Sequence, residues 1–125
     1  MTAENDDACF IDTRTQPDPK TLAIRALNDS LRKTGSGGKV PITNGVLGLG
    51  TDFAAAVLKA TQDFENFSDD NDPWGEHDCA CMLVMHHRVM WKIDYYDREG
   101  RYLSEDPASN KLTLRVLTIM LGSEY

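Results

Sequence analysis

The amino-acid sequence predicts an α+β domain at residues 18–125, in which a small, mostly antiparallel sheet packs with three helices in the order α-β-α-β-β-α. Two observations predict this class. Apolar residues recur at helical spacing in three stretches, and between the second and third stretch the chain alternates in the manner of a β-hairpin. The chain has 125 residues, 41% of them hydrophobic, which suits one domain with a modest core.

Residues 1–17 precede this domain as a polar leader that we expect to be flexible, with Phe10 and Ile11 as its apolar anchors. The leader lacks the basic-then-apolar pattern of a secretory signal. No apolar run approaches the roughly 20 residues that span a bilayer, so we expect no membrane partner. An odd count of three cysteines indicates reduced thiols and therefore a cytoplasmic location.

The first helix is predicted over residues 19–33. Asp18 before Pro19 has the pattern of an N-cap followed by proline at the first helical position, and Gly35 stands where a helix would end. The apolar residues at helical spacing are Leu22, Ile24, Leu27 and Leu31. A short extended run is predicted next, at residues 39–43.

A second helix is predicted to start with Thr51 as its N-cap and Asp52 in its first turn. One face of it carries Phe53, Ala54, Val57, Leu58 and Phe64. Residues 65–78, which we call the acidic loop, follow this helix.

A hairpin at about residues 79–96 gives the clearest β pattern. If His86 and His87 form a two-residue turn, Val84 lies opposite Val89 and one face of the hairpin is mostly apolar. Two histidines are a poor pair for a tight turn, so a longer loop with a shifted register is the alternative.

Residues 110–121 are nearly all apolar or Thr, and we predict that they form a buried helix. Ser109 can cap its start and Gly122 can end it. The Thr and Val content also fits a strand, but the length of the run favours a helix.

The whole net charge of −7 comes from one segment. Residues 60–87 hold seven acidic residues and all three histidines but no Lys or Arg, and the remaining 13 acidic residues balance the 13 basic ones. This pattern argues against direct binding of nucleic acid, which needs clustered Lys and Arg. It suits a protein partner with a basic groove, such as a nucleic-acid-binding complex, in which carboxylates take the place of phosphates.

The predicted partner-binding residues are Asp69, Asp70, Asp72, Trp74, Glu76 and Tyr96. We expect residues 69–72 to present exposed charge, and residues 75–78 to fix the loop to the hairpin. Trp74 is the best anchor candidate because Trp is favoured at interface centres. A lid over the core is the alternative role for this side chain.

An alternative catalytic interpretation uses Glu76, His77, Asp78 and Cys79, with a carboxylate orienting the imidazole or with Cys79 as a nucleophile. Because neighbouring residues on a strand point to opposite faces, only His77 and Cys79 could act together. We therefore favour a structural role, in which His77 and Asp78 tie the acidic loop to the hairpin through hydrogen bonds.

An alternative metal site would use Asp70, Asp72, His77, Cys79 and Cys81. Its spacing is unusual, since zinc motifs normally place two to four residues between paired cysteines and here only Ala80 intervenes. An EF-hand is excluded because the bidentate Glu is missing. Our expectation is that the protein needs no metal or other cofactor, and that both cysteines are small packing residues.

Five stretches resemble a known family: IRALND (24–29), TNGV (43–46), NDPWGEHD (71–78), KIDYYD (92–97) and RVLTIML (115–121). From about Leu22 onward the chain is similar to the uncharacterised bacterial family catalogued as domain of unknown function 3768. Members of that family are typically encoded on plasmids and integrated mobile elements, often near antirestriction-type genes, so the resemblance implies an accessory or counter-defence role. At Cys79 and Cys81 the chain departs from the family pattern, which weakens the zinc and thiol interpretations.

The predicted function is therefore that of a non-enzymatic acidic interaction protein of mobile-element type. One version inhibits a bacterial nucleic-acid-targeting defence system, as an anti-CRISPR or antirestriction protein does. The alternative is a small metal-dependent or thiol enzyme centred on the GEHDC segment, residues 75–79.

Overall fold

The computed structural model describes residues 17–125 and confirms the predicted α+β class, with three helices and a three-stranded antiparallel sheet. The predicted leader, apart from Pro17, lies outside the described residues. None of the helices in residues 17–125 is long and apolar enough to cross a membrane.

The helices are α1 (Pro19–Thr34), α2 (Asn44–Leu47) and α3 (Thr51–Asp63). The strands are β1 (Cys79–Val84), β2 (His87–Tyr96) and β3 (Leu114–Leu121), and a short 3-10 turn (Gly122–Glu124) follows the last strand.

Helix α1 has the predicted caps. The Asp18 carboxylate accepts a hydrogen bond from the Thr21 N–H at 2.8 Å, and this bond lowers the pKa of Asp18. Gly35 ends the helix with a φ of 77°, which glycine adopts without steric cost. The start of α3 differs slightly from the prediction, because Gly50 occupies the N-cap and Thr51 is the first helical residue.

Strands β1 and β2 form the predicted hairpin, but the register is shifted by two residues. The turn consists of Met85 and His86, so Val84 pairs with His87. Both turn residues have positive φ, 48° and 69°, as a primed two-residue turn requires. Because a shift of two residues leaves every side chain on the same face, the predicted apolar face is retained. Its buried members are Ala80, Val84, Val89, Trp91 and Ile93.

The predicted helix at residues 110–121 is wrong, because β3 occupies most of this run. β3 pairs antiparallel with β2, and the predicted extended run at residues 39–43 pairs parallel along its other edge through Lys39 and Ile42. The face of β3 that points away from the helices also carries apolar side chains, Leu114, Val116 and Met120, so the run is apolar on both faces and resembles a buried helix in sequence. The third helix of the fold is instead the short α2.

The core lies between one face of the sheet and the three helices. Leu31 of α1, Val46 of α2 and Val57 of α3 pack in one cluster with Trp91 and Ile119 of the sheet. The opposite face of the sheet carries half-buried and exposed side chains apart from the buried Met120, and we call it the open face.

Candidate functional site

Both ends of the acidic loop are held by helix α1. At the start of the loop, the buried Arg32 guanidinium donates to the main-chain oxygens of Thr61 and Phe64, at 3.0 and 2.8 Å. At the far end, Arg25 Nε donates to the Gly75 carbonyl at 2.7 Å, and Asn28 Nδ2 donates to the Glu76 carbonyl at 3.0 Å. The path of the loop is therefore fixed by main-chain groups.

The helix residues that hold the loop recur at i, i+3, i+4 and i+7: Arg25, Asn28, Asp29 and Arg32. This spacing defines one stripe of a helix. Sequence reasoning missed these residues because it followed the apolar stripe of the same helix. A detectable signal was present, since Asn28 stands four residues after Ile24 and three before Leu31, where an apolar residue is expected.

Residues 69–72 were expected to be exposed together. Asp72 is instead buried, with 6% of its surface exposed, so this part of the prediction is wrong. Its two carboxylate oxygens accept the His77 N–H at 3.1 and 3.3 Å, and its main-chain oxygen accepts the Gly75 N–H at 3.0 Å. Asp72 therefore closes the loop on itself.

His77 turns toward α1. Its ring stacks on Phe67, with centroids 3.8 Å apart, and its Nδ1 lies 2.9 Å from Asp29 Oδ1. Its φ of 56° breaks the strand alternation that would have placed it in line with Cys79 and Cys81. The five residues of the alternative metal site are not brought together, and among residues 17–125 no group of three or more His, Cys, Asp or Glu is arranged to hold a metal ion.

Glu76 belongs to a buried polar network that reaches the sheet. The Tyr95 hydroxyl donates to Glu76 Oε1 at 2.7 Å and accepts from Asn28 Nδ2 at 2.9 Å. Arg115, fully buried on β3, donates to Asn28 Oδ1 at 2.7 Å and lies over the Tyr95 ring. Burial, together with the hydrogen bond to Glu76, strongly raises the pKa of Tyr95, so its hydroxyl stays protonated. Sequence reasoning missed Arg115 because it assigned that residue to a helix.

The residues of the alternative catalytic site do not converge on one point. Glu76 bonds to the sheet and His77 to α1, while the Asp78 main-chain oxygen accepts the Ile93 N–H at 2.7 Å. Burial, followed by the charge of Asp78, raises the pKa of the Cys79 thiol. A reactive cysteine needs the opposite shift, because the thiolate is the nucleophile.

Asp69, Asp70 and Trp74 are the predicted partner-binding residues that face solvent. Asp69 and Asp70 are exposed at the tip of a turn closed by the Asp72 N–H, which donates to the Ser68 carbonyl at 2.8 Å. The Trp74 side chain is 75% exposed, so it is not a lid over the core. The loop thus presents two carboxylates and one indole on the same short stretch.

Tyr96 is not part of this surface. It is half-buried on the open face of the sheet, whereas its neighbour Tyr95 points into the network under the acidic loop. Strand alternation therefore separates Tyr96 from the other predicted partner-binding residues.

A comparison with protein families found one match. A family model described as "Protein of unknown function (DUF3768)" matches residues 42–124, a span that includes the acidic loop and all three strands. Neither the search of curated proteins nor the search of solved structures found a match.

Proposed function

The chain belongs to the DUF3768 family, and we propose that it is a non-enzymatic interaction protein whose acidic loop binds a protein partner with a basic groove. One observation carries this proposal: Trp74 is 75% exposed, although residues on both sides of it are firmly held.

The exposure of Trp74 is unusual for so large an apolar side chain. The loop is not loose at this point, because Asp72 on one side is buried and hydrogen-bonded, and Gly75 on the other side accepts the Arg25 bond. A rigidly placed side chain loses little conformational entropy when it binds. Trp is also among the residues that contribute most binding energy at interfaces.

The charge around Trp74 favours a basic partner. Asp69 and Asp70 are exposed and make no ion pair with any residue of the described range 17–125. The two arginines of α1 that hold the loop form no ion pair with them, since Arg25 donates to the Gly75 carbonyl and Arg32 donates to the Thr61 carbonyl. An uncompensated acidic surface attracts a positively charged partner and speeds the encounter.

Adjacent carboxylates carry negative charge as phosphates do, so they suit a basic groove that normally binds phosphates. We therefore extend the proposal to one class of partner, a bacterial nucleic-acid-targeting defence complex, with the chain acting in the cytoplasm as an anti-CRISPR or antirestriction protein of a mobile element. The pair Asp69–Asp70 and the indole beside it support this version, because they combine phosphate-like charge with an apolar anchor.

The proposal is tested by affinity capture with the purified chain from a bacterium that carries such defence systems, followed by titration of the captured complex. We expect Trp74→Ala, and separately Asp69→Asn with Asp70→Asn, to weaken binding at least tenfold, and the wild-type affinity to fall as salt is added.

Matched controls separate this surface from general effects. Tyr102 is an aromatic residue of similar exposure, 73%, in a different loop, so Tyr102→Ala controls for loss of an exposed ring. Glu99→Gln with Glu105→Gln removes two exposed charges elsewhere. Binding that is unchanged in both loop variants, or equally reduced in the controls, would refute the acidic loop as the binding surface.

A further inference from the structure

Strand β1 lies at one edge of the sheet. The strand order is β1-β2-β3, and β1 has no second neighbouring strand among residues 17–125. The Asp78 carbonyl accepts the Ile93 N–H, and Val84 pairs with His87 across the two-residue turn. In an antiparallel pair the main-chain groups alternate in direction, so residues 78, 80, 82 and 84 point to β2. The donors and acceptors of Cys79, Cys81 and Leu83 consequently point outward.

This edge lacks the features that normally prevent strands from pairing with other chains. Its six residues, CACMLV, contain no charge and no proline, and the register with β2 runs without a bulge. Cys81 is exposed and Leu83 is 70% exposed. Natural edge strands are usually protected by Lys, Pro or a bulge, so an unprotected apolar edge is suited to accept another strand.

We propose that β1 pairs antiparallel with β1 of a second copy of the chain, forming a continuous six-stranded sheet about a two-fold axis at Cys81. Only outward-pointing residues can exchange hydrogen bonds across the new interface, and the register centred on Cys81 is the one that pairs all three of them, Cys79, Cys81 and Leu83. Cys81 then faces Cys81 of the second copy, and Cys79 faces its Leu83. A self-complementary patch of this kind is what a symmetric dimer requires.

The charges at the two ends of β1 fit this arrangement. The acidic end carries Glu76 and Asp78, and the other end is the exposed, uncharged turn at Met85 and His86. Antiparallel pairing places the acidic end of each copy beside this turn of the other, and it keeps the two acidic loops apart.

In the proposed dimer, a row of apolar side chains on the open face also continues across the two-fold axis. Met90 lies between Cys81 and Met120 in the sheet, and a cleft of about 720 Å³ is lined in part by Cys81, Leu83 and Met90. In the dimer the row joins its symmetry mate through Cys81, and Leu83 packs beside Cys79 of the second copy. The inference is independent of the proposed partner of the acidic loop.

Light scattering of the purified full chain tests the dimer. We expect a mass that rises with concentration toward twice 14.0 kDa. Cys81→Lys places two ammonium groups at the axis and is expected to give only monomer. Leu103→Lys is the matched control, because Leu103 is 78% exposed and pairs with Tyr96 at the far end of the sheet, and it should leave dimerisation unchanged. A wild-type chain that stays monomeric at every concentration, or a Cys81→Lys variant that still dimerises, overturns the inference.

Cross-linking tests the register without relying on a disruptive substitution. The double variant Cys9→Ser with Cys79→Ser keeps Cys81 as its one thiol. The Cα of Cys81 should lie about 5.5 Å from that of its symmetry mate, within the range for a disulfide. Cys9→Ser with Cys81→Ser keeps Cys79, about 14 Å from its mate at the rise of a β-strand.

Diamide oxidises two thiols to one disulfide and takes up both electrons and both protons. We expect a covalent dimer from the Cys81 protein alone. Equal cross-linking of both proteins, or of neither, overturns the register.

Discussion

Replacing Asn28 with Ala removes the centre of the network under the acidic loop. The Asn28 side chain is fully buried and makes three hydrogen bonds, to the Glu76 carbonyl, the Tyr95 hydroxyl and Arg115. The two bonds to neutral groups contribute about 1 kcal/mol each, and the bond from the charged guanidinium contributes about 1.5–3 kcal/mol. We therefore expect Asn28→Ala to lower the free energy of unfolding by about 3.5–5 kcal/mol.

The loss is large because Arg115 cannot easily regain solvent. This guanidinium is fully buried, and burial lowers its pKa because desolvation disfavours the charged form. A domain of this size typically has about 5–15 kcal/mol of stability, so the variant should still fold, with a melting temperature about 15 °C lower.

Urea denaturation followed by circular dichroism measures the effect. The midpoint should fall at an unchanged slope. Amide exchange at His77, whose N–H donates to Asp72, should also become faster as the loop loosens. Ser30→Ala, an exposed position on the same helix, is the control and should change stability by less than about 0.5 kcal/mol. A loss below about 1 kcal/mol for Asn28→Ala would show that the network does not hold the loop.

Three further predictions concern the ionisation and the backbone of the same region. Burial and neighbouring carboxylates raise the pKa of Asp78 above its usual 3.8, so the ionised form costs stability at neutral pH. Asp78→Asn should therefore raise the melting temperature at pH 7, and this gain should disappear as the pH falls below 3.8, where the carboxyl is protonated in both the folded and the unfolded state. Replacing Met85 with Asn and His86 with Gly should raise the free energy of unfolding, measured by urea denaturation, by about 1 kcal/mol. Both positions have positive φ, which Asn and Gly adopt more easily than Met and His. An unchanged free energy of unfolding would indicate that the turn is unstrained. Gly75→Ala should lower the free energy of unfolding by about 1 kcal/mol, since Gly75 has a φ of 72° and a Cβ there would lie 3.1 Å from Arg25. An unchanged midpoint in urea denaturation would contradict this.

The hairpin shows which part of a sheet can be predicted from sequence. The alternation of residues 79–96 predicted the buried face correctly. The turn was predicted at His86–His87, whereas it lies at Met85–His86. The buried face of a strand and its pairing register are separate properties. A shift by two residues changes the partner of every residue, but it leaves each side chain on the same face of the sheet. The register depended on a turn with two positive φ values at residues that rarely adopt them, and local sequence gave no sign of it.

The last strand and the loop contacts could not be predicted, because both depend on distant parts of the chain. Residues 114–121 form a strand because β2 and residues 39–43 lie on its two sides. The acidic loop was located correctly by its charge. The burial of Asp72 depends on helix α1, which lies far earlier in the chain, because Asp29 and Arg25 of this helix contact the segment that follows Asp72.

Helix α1 holds the end of the acidic loop through the carbonyl oxygens of residues 75 and 76, which every amino acid possesses. The outward side chains at positions 69, 70 and 74 take no part in these bonds. Substitutions at the three positions can therefore accumulate without disturbing the fold, and one scaffold can follow a changing partner during evolution. In protein engineering, the same separation makes this loop a place to graft new binding sequences while the rest of the chain is left as it is.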